Sequence, residues 1–264
     1  MKRKRLNRKN SGQFLIITSL VIVLLLLSVV YFVFEIERKS AVQTTASLNS
    51  YVLAIKLSSR NTVTSALVNV SNGGENEILT ANLNEFSSII GNQYHFGKCN
   101  LMCTPLNSAP YQSGIWISWG SNGLGVSSAY TSFSLDFTGI QADVQLEYSV
   151  NIITTVNVED GAYIKLEGEG MELKKQVNAT CRILNEGKPA LAKNIALFYE
   201  ENGDLSTEKW IPVDSLSITD YGNGTYFMSF IVETQVRNDP VLISAHVHDL
   251  RDIFVQTNTE CDET

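Results

Sequence analysis

Residues 14–34 read FLIITSLVIVLLLLSVVYFVF, 21 consecutive positions without a charge, Gly or Pro. Seventeen of them are Leu, Ile, Val or Phe. A helix of that length spans roughly 31 Å, the thickness of a bilayer's hydrocarbon core. Each such side chain contributes about −0.3 to −0.6 kcal/mol near mid-bilayer, so insertion is favourable. Six Lys or Arg lie in residues 1–12, while Glu35-Ile36-Glu37-Arg38-Lys39 follows the run nearly neutral. The positive-inside rule then predicts a single-pass signal-anchor at the cell membrane, with the N-terminus in the cytoplasm and residues 35–264 extracellular. A cleaved secretory signal is the alternative, but its apolar run is ordinarily about 7–15 residues.

Charge separates this leader from the rest. The chain carries 20 basic and 27 acidic residues, net −7. Removing the six basic residues of 1–12 leaves 14 basic against 27 acidic, or −13. A body of that sign has no general attraction for nucleic acid.

Basic residues, then Ser11-Gly12-Gln13, then an unbroken apolar run, resemble the leader of archaeal type IV pilin-like proteins. The resemblance covers roughly the first 35 residues. It implies cleavage by a prepilin peptidase after Gly12, with Gln13 as the first mature residue. The fifth position after that cut is Ile17, where many major pilins carry Glu. The resemblance also implies partners: pilus or secretion-type assembly subunits.

No Gly or Pro occurs from Gln13 to Asn72, which permits one long helix. Ala41, Thr45, Leu48, Val52, Ile55, Ser59, Thr62, Ala66 and Val70 recur at steps of 4 and 3, one packing stripe. Asn72-Gly73-Gly74 supplies the stop. Leu79, Leu83, Phe86 and Ile90 form a second stripe, which packs on the first or on a sheet. From Tyr111 the period becomes 2: Ile115, Ile117 and Trp119, then Tyr130–Phe137, then Val144, Leu146, Tyr148, Val150 and Ile152. These predict antiparallel strands.

Seven strand-like runs follow between about 162 and 260, at 163–167, 175–184, 192–199, 210–218, 225–233, 241–248 and 253–257. That number in about 100 residues suits an immunoglobulin-like β-sandwich. Val177, Ala179, Cys181 and Ile183 share one face, as do Tyr226, Met228, Phe230 and Val232, and Val241, Ile243, Ala245 and Val247. Asn185-Glu186-Gly187-Lys188-Pro189-Ala190 and Asp220-Tyr221-Gly222-Asn223-Gly224-Thr225-Tyr226 resemble the turns of prokaryotic immunoglobulin-like domains of the invasin and intimin type. That resemblance implies a spacer or adhesive module without catalytic residues.

The expected fold class is α+β and membrane-anchored. A basic cytoplasmic leader (1–12) and transmembrane helix (13–34) precede an extracellular helical region (35–96). An antiparallel β region (97–160) leads to an all-β immunoglobulin-like sandwich (161–260).

Four cysteines carry the clearest chemistry. Cys99 and Cys103 bracket three residues before Pro105, and outside the cell a short-loop disulfide is the default. His95 makes a His-x3-Cys-x3-Cys alternative, but a structural zinc needs a fourth ligand that is not near in sequence. Free thiols are the third option. Cys181 and Cys261 remain as a second pair. His246 and His248 lie two apart on one strand face; they suit a metal or an ordinary polar surface. Sequons at Asn69, Asn178 and Asn223 offer glycosylation, the last two on an outward strand face and in a turn. No hydrolase elbow, zincin motif, phosphate loop or dinucleotide fingerprint occurs. The sequence therefore predicts a non-enzymatic surface protein with no catalytic residues, metal or cofactor. It serves either as a pilin-like subunit presenting a module for adhesion or assembly, or as a tethered binder of an extracellular ligand outside any filament.

Overall fold

A computed structural model describes residues 11–93, 97–120, 122–139, 143–166, 173–200, 210–234 and 240–264; within the first helix, side chains 11–18 and 36–47 are not described. Two helices open the chain, α1 (Ser11–Ser71) and α2 (Ile78–Gln93). Twelve strands follow: β1 (Gly97–Pro105), β2 (Ile115–Trp119), β3 (Leu124–Gly139), β4 (Val144–Leu166), β5 (Leu173–Asn185), β6 (Lys188–Pro189), β7 (Ala192–Glu200), β8 (Trp210–Pro212), β9 (Ser217–Asp220), β10 (Thr225–Thr234), β11 (Val241–Asp249) and β12 (Phe254–Glu263). The chain divides into two compact units, Met1–Lys56 and Leu57–Thr264.

In the first unit, Leu20–Phe34 exposes fourteen large apolar side chains, each 48–69% accessible. Consecutive positions are exposed, so every side of the helix is apolar. Among the described residues, however, no helix is long and apolar enough to cross a membrane. Phe14–Thr18 lie outside the described side chains, and residues 1–10 of the leader outside the described residues. The transmembrane helix, the signal-anchor and the single-pass cell-membrane localisation are therefore corrected: the structure does not support them.

In the second unit, the last part of α1 keeps one stripe. Ser59, Val63, Ala66, Leu67 and Val70 are buried, while Arg60, Ser65 and Asn69 face out. The helix stops where Gly73 takes φ +94°, with its N–H on the Val70 carbonyl (3.0 Å) and the Gly74 N–H on that of Asn69 (2.9 Å). α2 buries Leu79, Leu83 and Ile90, and Ser87 Oγ donates to the Leu101 carbonyl of β1.

The strands form one curled mixed sheet with a path β8-β7-β11-β12-β4-β5-β10-β9; β1 and β2 pair with β3, which pairs with β4. All pairs are antiparallel except β12 with β4, where Asp262 lies beside Ala162. This corrects the expected antiparallel region followed by a separate immunoglobulin-like sandwich. The expected boundary at 160/161 falls inside β4, which pairs with β3 through Asn157 and with β5 from Thr154 to Leu166. At that point β4 carries a bulge: Asp160 has φ +54° and the register shifts between Glu159 and Ala162. Gly161 is needed there, since a Cβ would meet Cys261 Sγ at 2.8 Å as β12 comes alongside.

The core fills from the inward faces of these strands. Val177, Ala179, Cys181, Ile183, Met228, Phe230, Val232, Ile243, Ala245 and Val247 are all at most 2% exposed. Tyr226 packs among them, and its hydroxyl accepts the Ala192 N–H at 2.8 Å. The expected strand at 210–218 is instead two short edge strands. Pro212 ends β8 on β7, and the chain crosses to pair β9 with β10.

Candidate functional sites

The cysteines lie where no bridge is made; all four are free thiols. Cys99 and Cys103 sit on one extended strand, opposite Phe137 and Phe133 of β3. Four residues of strand span about 13 Å, against the 4.4–6.8 Å between Cα atoms that a disulfide requires. The short-loop disulfide is thereby corrected: the segment is a ladder strand, not a turn. Burial pushes the Cys99 and Cys103 thiols up to about 11, with Asp136 adding to the effect at Cys99. Cys181 and Cys261 face the core, and burial raises each to about 12. Thiols so placed are poor nucleophiles and poor metal ligands. His95 lies outside the described residues. Among the described residues no group of three His, Cys, Asp or Glu is arranged to hold a metal.

His246 and His248 point away from the core while Val247 is fully buried. The His246 ring sits between Phe198 (4.5 Å between centroids) and Phe254 (5.4 Å). Burial, then the neighbouring His248, lowers its pKa below the ordinary value. His248 contacts Asn72 Oδ1 through Nε2 at 3.1 Å. Both imidazoles are thus engaged in packing and in holding the end of α1.

The sequons differ in access. Asn69 is exposed, but Ser71 is buried and its Oγ is occupied by the Val68 carbonyl and the Phe254 N–H. Asn178 stands half-buried on β5. Asn223 is exposed in the turn between β9 and β10, where its Oδ1 accepts the Thr225 N–H at 3.1 Å. Gly12 and Gln13 fall in the first turn of α1, with side chains outside those described.

Two arrangements were not expected from the sequence. Asp249 is wholly buried at the end of β11. Its Oδ1 accepts the N–H groups of Arg251 (2.8 Å) and Ile253 (3.0 Å). Its Oδ2 accepts Arg251 Nε (2.8 Å), Asn185 Nδ2 (3.0 Å) and Thr154 Oγ1 (3.2 Å). Arg251 also reaches Glu186 at 2.7 Å, and Glu186 meets Arg60 of α1 at 3.6 Å. Burial alone would lower the Arg251 pKa, but its bonds to Glu186 and Asp249 outweigh that and raise it. Every lone-pair direction of the carboxylate is used, so this network is a clamp between β4, β5 and β11 and offers no open acid.

The other arrangement is the face of the β1–β3–β4 layer opposite the helices. Register places Thr104, Ser132 and Ser149 in one rung and Met102, Ser134 and Glu147 in the next. Thr104, Ser132, Ser134, Glu147 and Ser149, together with Phe133 and Tyr148, border an open depression of about 510 Å³. Beside it, Tyr111 contacts Trp116 (5.9 Å) and Tyr130 (6.2 Å), and its hydroxyl pairs with Ser128 Oγ at 2.9 Å. No protein family, characterised protein or solved structure matches this chain.

Proposed function

We propose that this protein is a non-enzymatic, pilin-like assembly subunit, whose apolar N-terminal helix packs against the same segment of other copies. The observation that carries this reading is Leu20–Phe34, with fourteen large apolar side chains exposed in a row. Each gains roughly 1.5–3 kcal/mol on full burial, and a lone chain's surface does not ordinarily hold such a patch. The segment carries no charge, so helices of identical sequence pack together without an unpaired ion. Ser28 satisfies itself on the Leu25 carbonyl at 2.8 Å, which keeps that surface free of an orphaned hydroxyl. The leader before Gln13 supports the same reading. The β-rich unit is then what the assembly displays.

Single-cysteine cross-linking tests this. Burial disfavours the thiolate at the four native cysteines, so Leu24→Cys, compared with the unsubstituted chain, reports its own neighbours. Under mild oxidation it is expected to give linked dimers, and Lys193→Cys on the exposed edge of β7 is not. Absence of dimers at Leu24→Cys, or equal yields at both positions, overturns the proposal.

A further inference from the structure

We propose that the outer face of the β1–β3–β4 layer binds a neutral saccharide chain. This rests on the geometry of that face and not on the assembly reading.

The platform is fixed from behind. Phe133 and Tyr148 stack at 5.0 Å with 7° between their planes, and Tyr148 Oη pairs with Ser59 of α1 at 2.8 Å. Three antiparallel strands in regular register therefore hold the opposite face rigid, as a binding surface requires. On that face Thr104, Ser132, Ser134, Ser149 and Glu147 border an open, shallow depression, the shape an extended chain lies along rather than one that encloses a small ligand. Hydroxyls both donate and accept, and the carboxylate accepts twice or more, which matches the alternating donors and acceptors of sugar hydroxyls.

The aromatic trio supplies the second half of sugar recognition. Tyr130 is two residues along β3 from Ser132, about 7 Å, on the same side of the strand. Trp116 pairs with Ser128 one rung further on. Trp116, Tyr130 and Tyr111 are half-buried, so each offers ring surface without being free to swing. The electron-rich face of such a ring attracts the C–H groups of a pyranose. Rungs and rings together extend along several residues of β3, the length of more than one sugar.

Charge selects among ligands. Asp136 lies on this face with Lys98 one rung beyond it, and the serine rungs themselves carry Glu147 and no cation. That local sign disfavours anionic glycans and nucleic acids. Protein interfaces are ordinarily apolar at their centre, while the centre here is serine.

The test uses the full chain, titrated with cellohexaose, chitohexaose and mannohexaose and followed by tryptophan fluorescence and calorimetry. At least one sugar is expected to bind and to perturb the fluorescence. Glu147→Gln should weaken that binding about tenfold, the loss of a charge-assisted bond, and Trp116→Ala more. Should Trp116→Ala fail to fold, the exposed Glu147→Gln carries the test alone. Lys193→Ala should leave binding unchanged. Binding of none of the three sugars, or binding indifferent to Glu147→Gln, overturns the proposal. So does a Glu147-dependent self-association seen by light scattering, which would make this face a protein interface.

Discussion

The two ends of α1 are built on opposite rules. Leu20–Phe34 is apolar at nearly every position and exposed at every one of them. Ser59–Val70 is far more polar, yet Val63, Ala66 and Leu67 are completely buried. Burial in this chain follows periodicity rather than hydrophobic content. A stripe can be satisfied by one sheet, but a helix apolar all round needs neighbours on all sides. The striped end is also latched by polar groups. Asn72 donates to the Asp252 carbonyl (3.1 Å), and the Phe254 N–H bonds Ser71 Oγ (3.1 Å). The apolar end depends on what it meets, whereas the striped end is complete in itself.

The largest break in that contrast should come from the turn that receives the latched end. Asp249→Ala removes the acceptor of five hydrogen bonds and leaves Arg251 without its buried partner. Losing one member of a buried pair costs about 3–5 kcal/mol. The urea midpoint of the Leu57–Thr264 unit should fall accordingly. A midpoint shift no larger than that of Lys193→Ala, which loses only the exposed pair with Asp252, would show that the clamp is not structural.

A matched pair of leucines measures the contrast directly. Leu67 is fully buried and Leu27 is 60% exposed on the same helix. Leu67→Ala should destabilise by about 2–5 kcal/mol in urea unfolding. In the dispersed single chain, where the proposed packing between copies is absent, Leu27→Ala should stay within about 0.5 kcal/mol by the same measurement. Equal effects would mean that the two ends of α1 are buried alike in solution.

Much of this was readable from period alone. The α2 stripe and the inward faces of β5, β10 and β11 follow from spacing, since burial demands one side of a helix or strand. The alternation of Cys99, Leu101 and Cys103 with Asn100, Met102 and Thr104 was present too, and it marks a strand rather than a disulfide loop. The continuity of β4 through 160/161 was not legible, because its pairing with both β3 and β5 is set by register between distant segments. The Asp249 clamp was not legible: Thr154 and Asn185 lie 95 and 64 residues away. The outer face was half legible. Ser132 and Ser134 alternate with Phe133 and Leu135, but Glu147 and Thr104 join them only through register.

The smallest effect concerns protons at the latched end. In the unfolded chain His246 titrates near its ordinary pKa of 6.5, and in the folded protein burial and His248 lower that value. Between the two values the unfolded state holds more protons, so stability rises with pH across that window. It is fully present above about 6.5 and is lost as pH falls through the folded value. Protonation would also place a cation between the rings of Phe198 and Phe254, beside His248, where the second charge repels it. Urea midpoints should therefore drop as pH is lowered below about 6.5. His246→Phe should flatten that slope while keeping the ring packing, and Leu27→Ala should leave it untouched. A slope that survives His246→Phe would assign the proton to another group and free this latch from any dependence on pH.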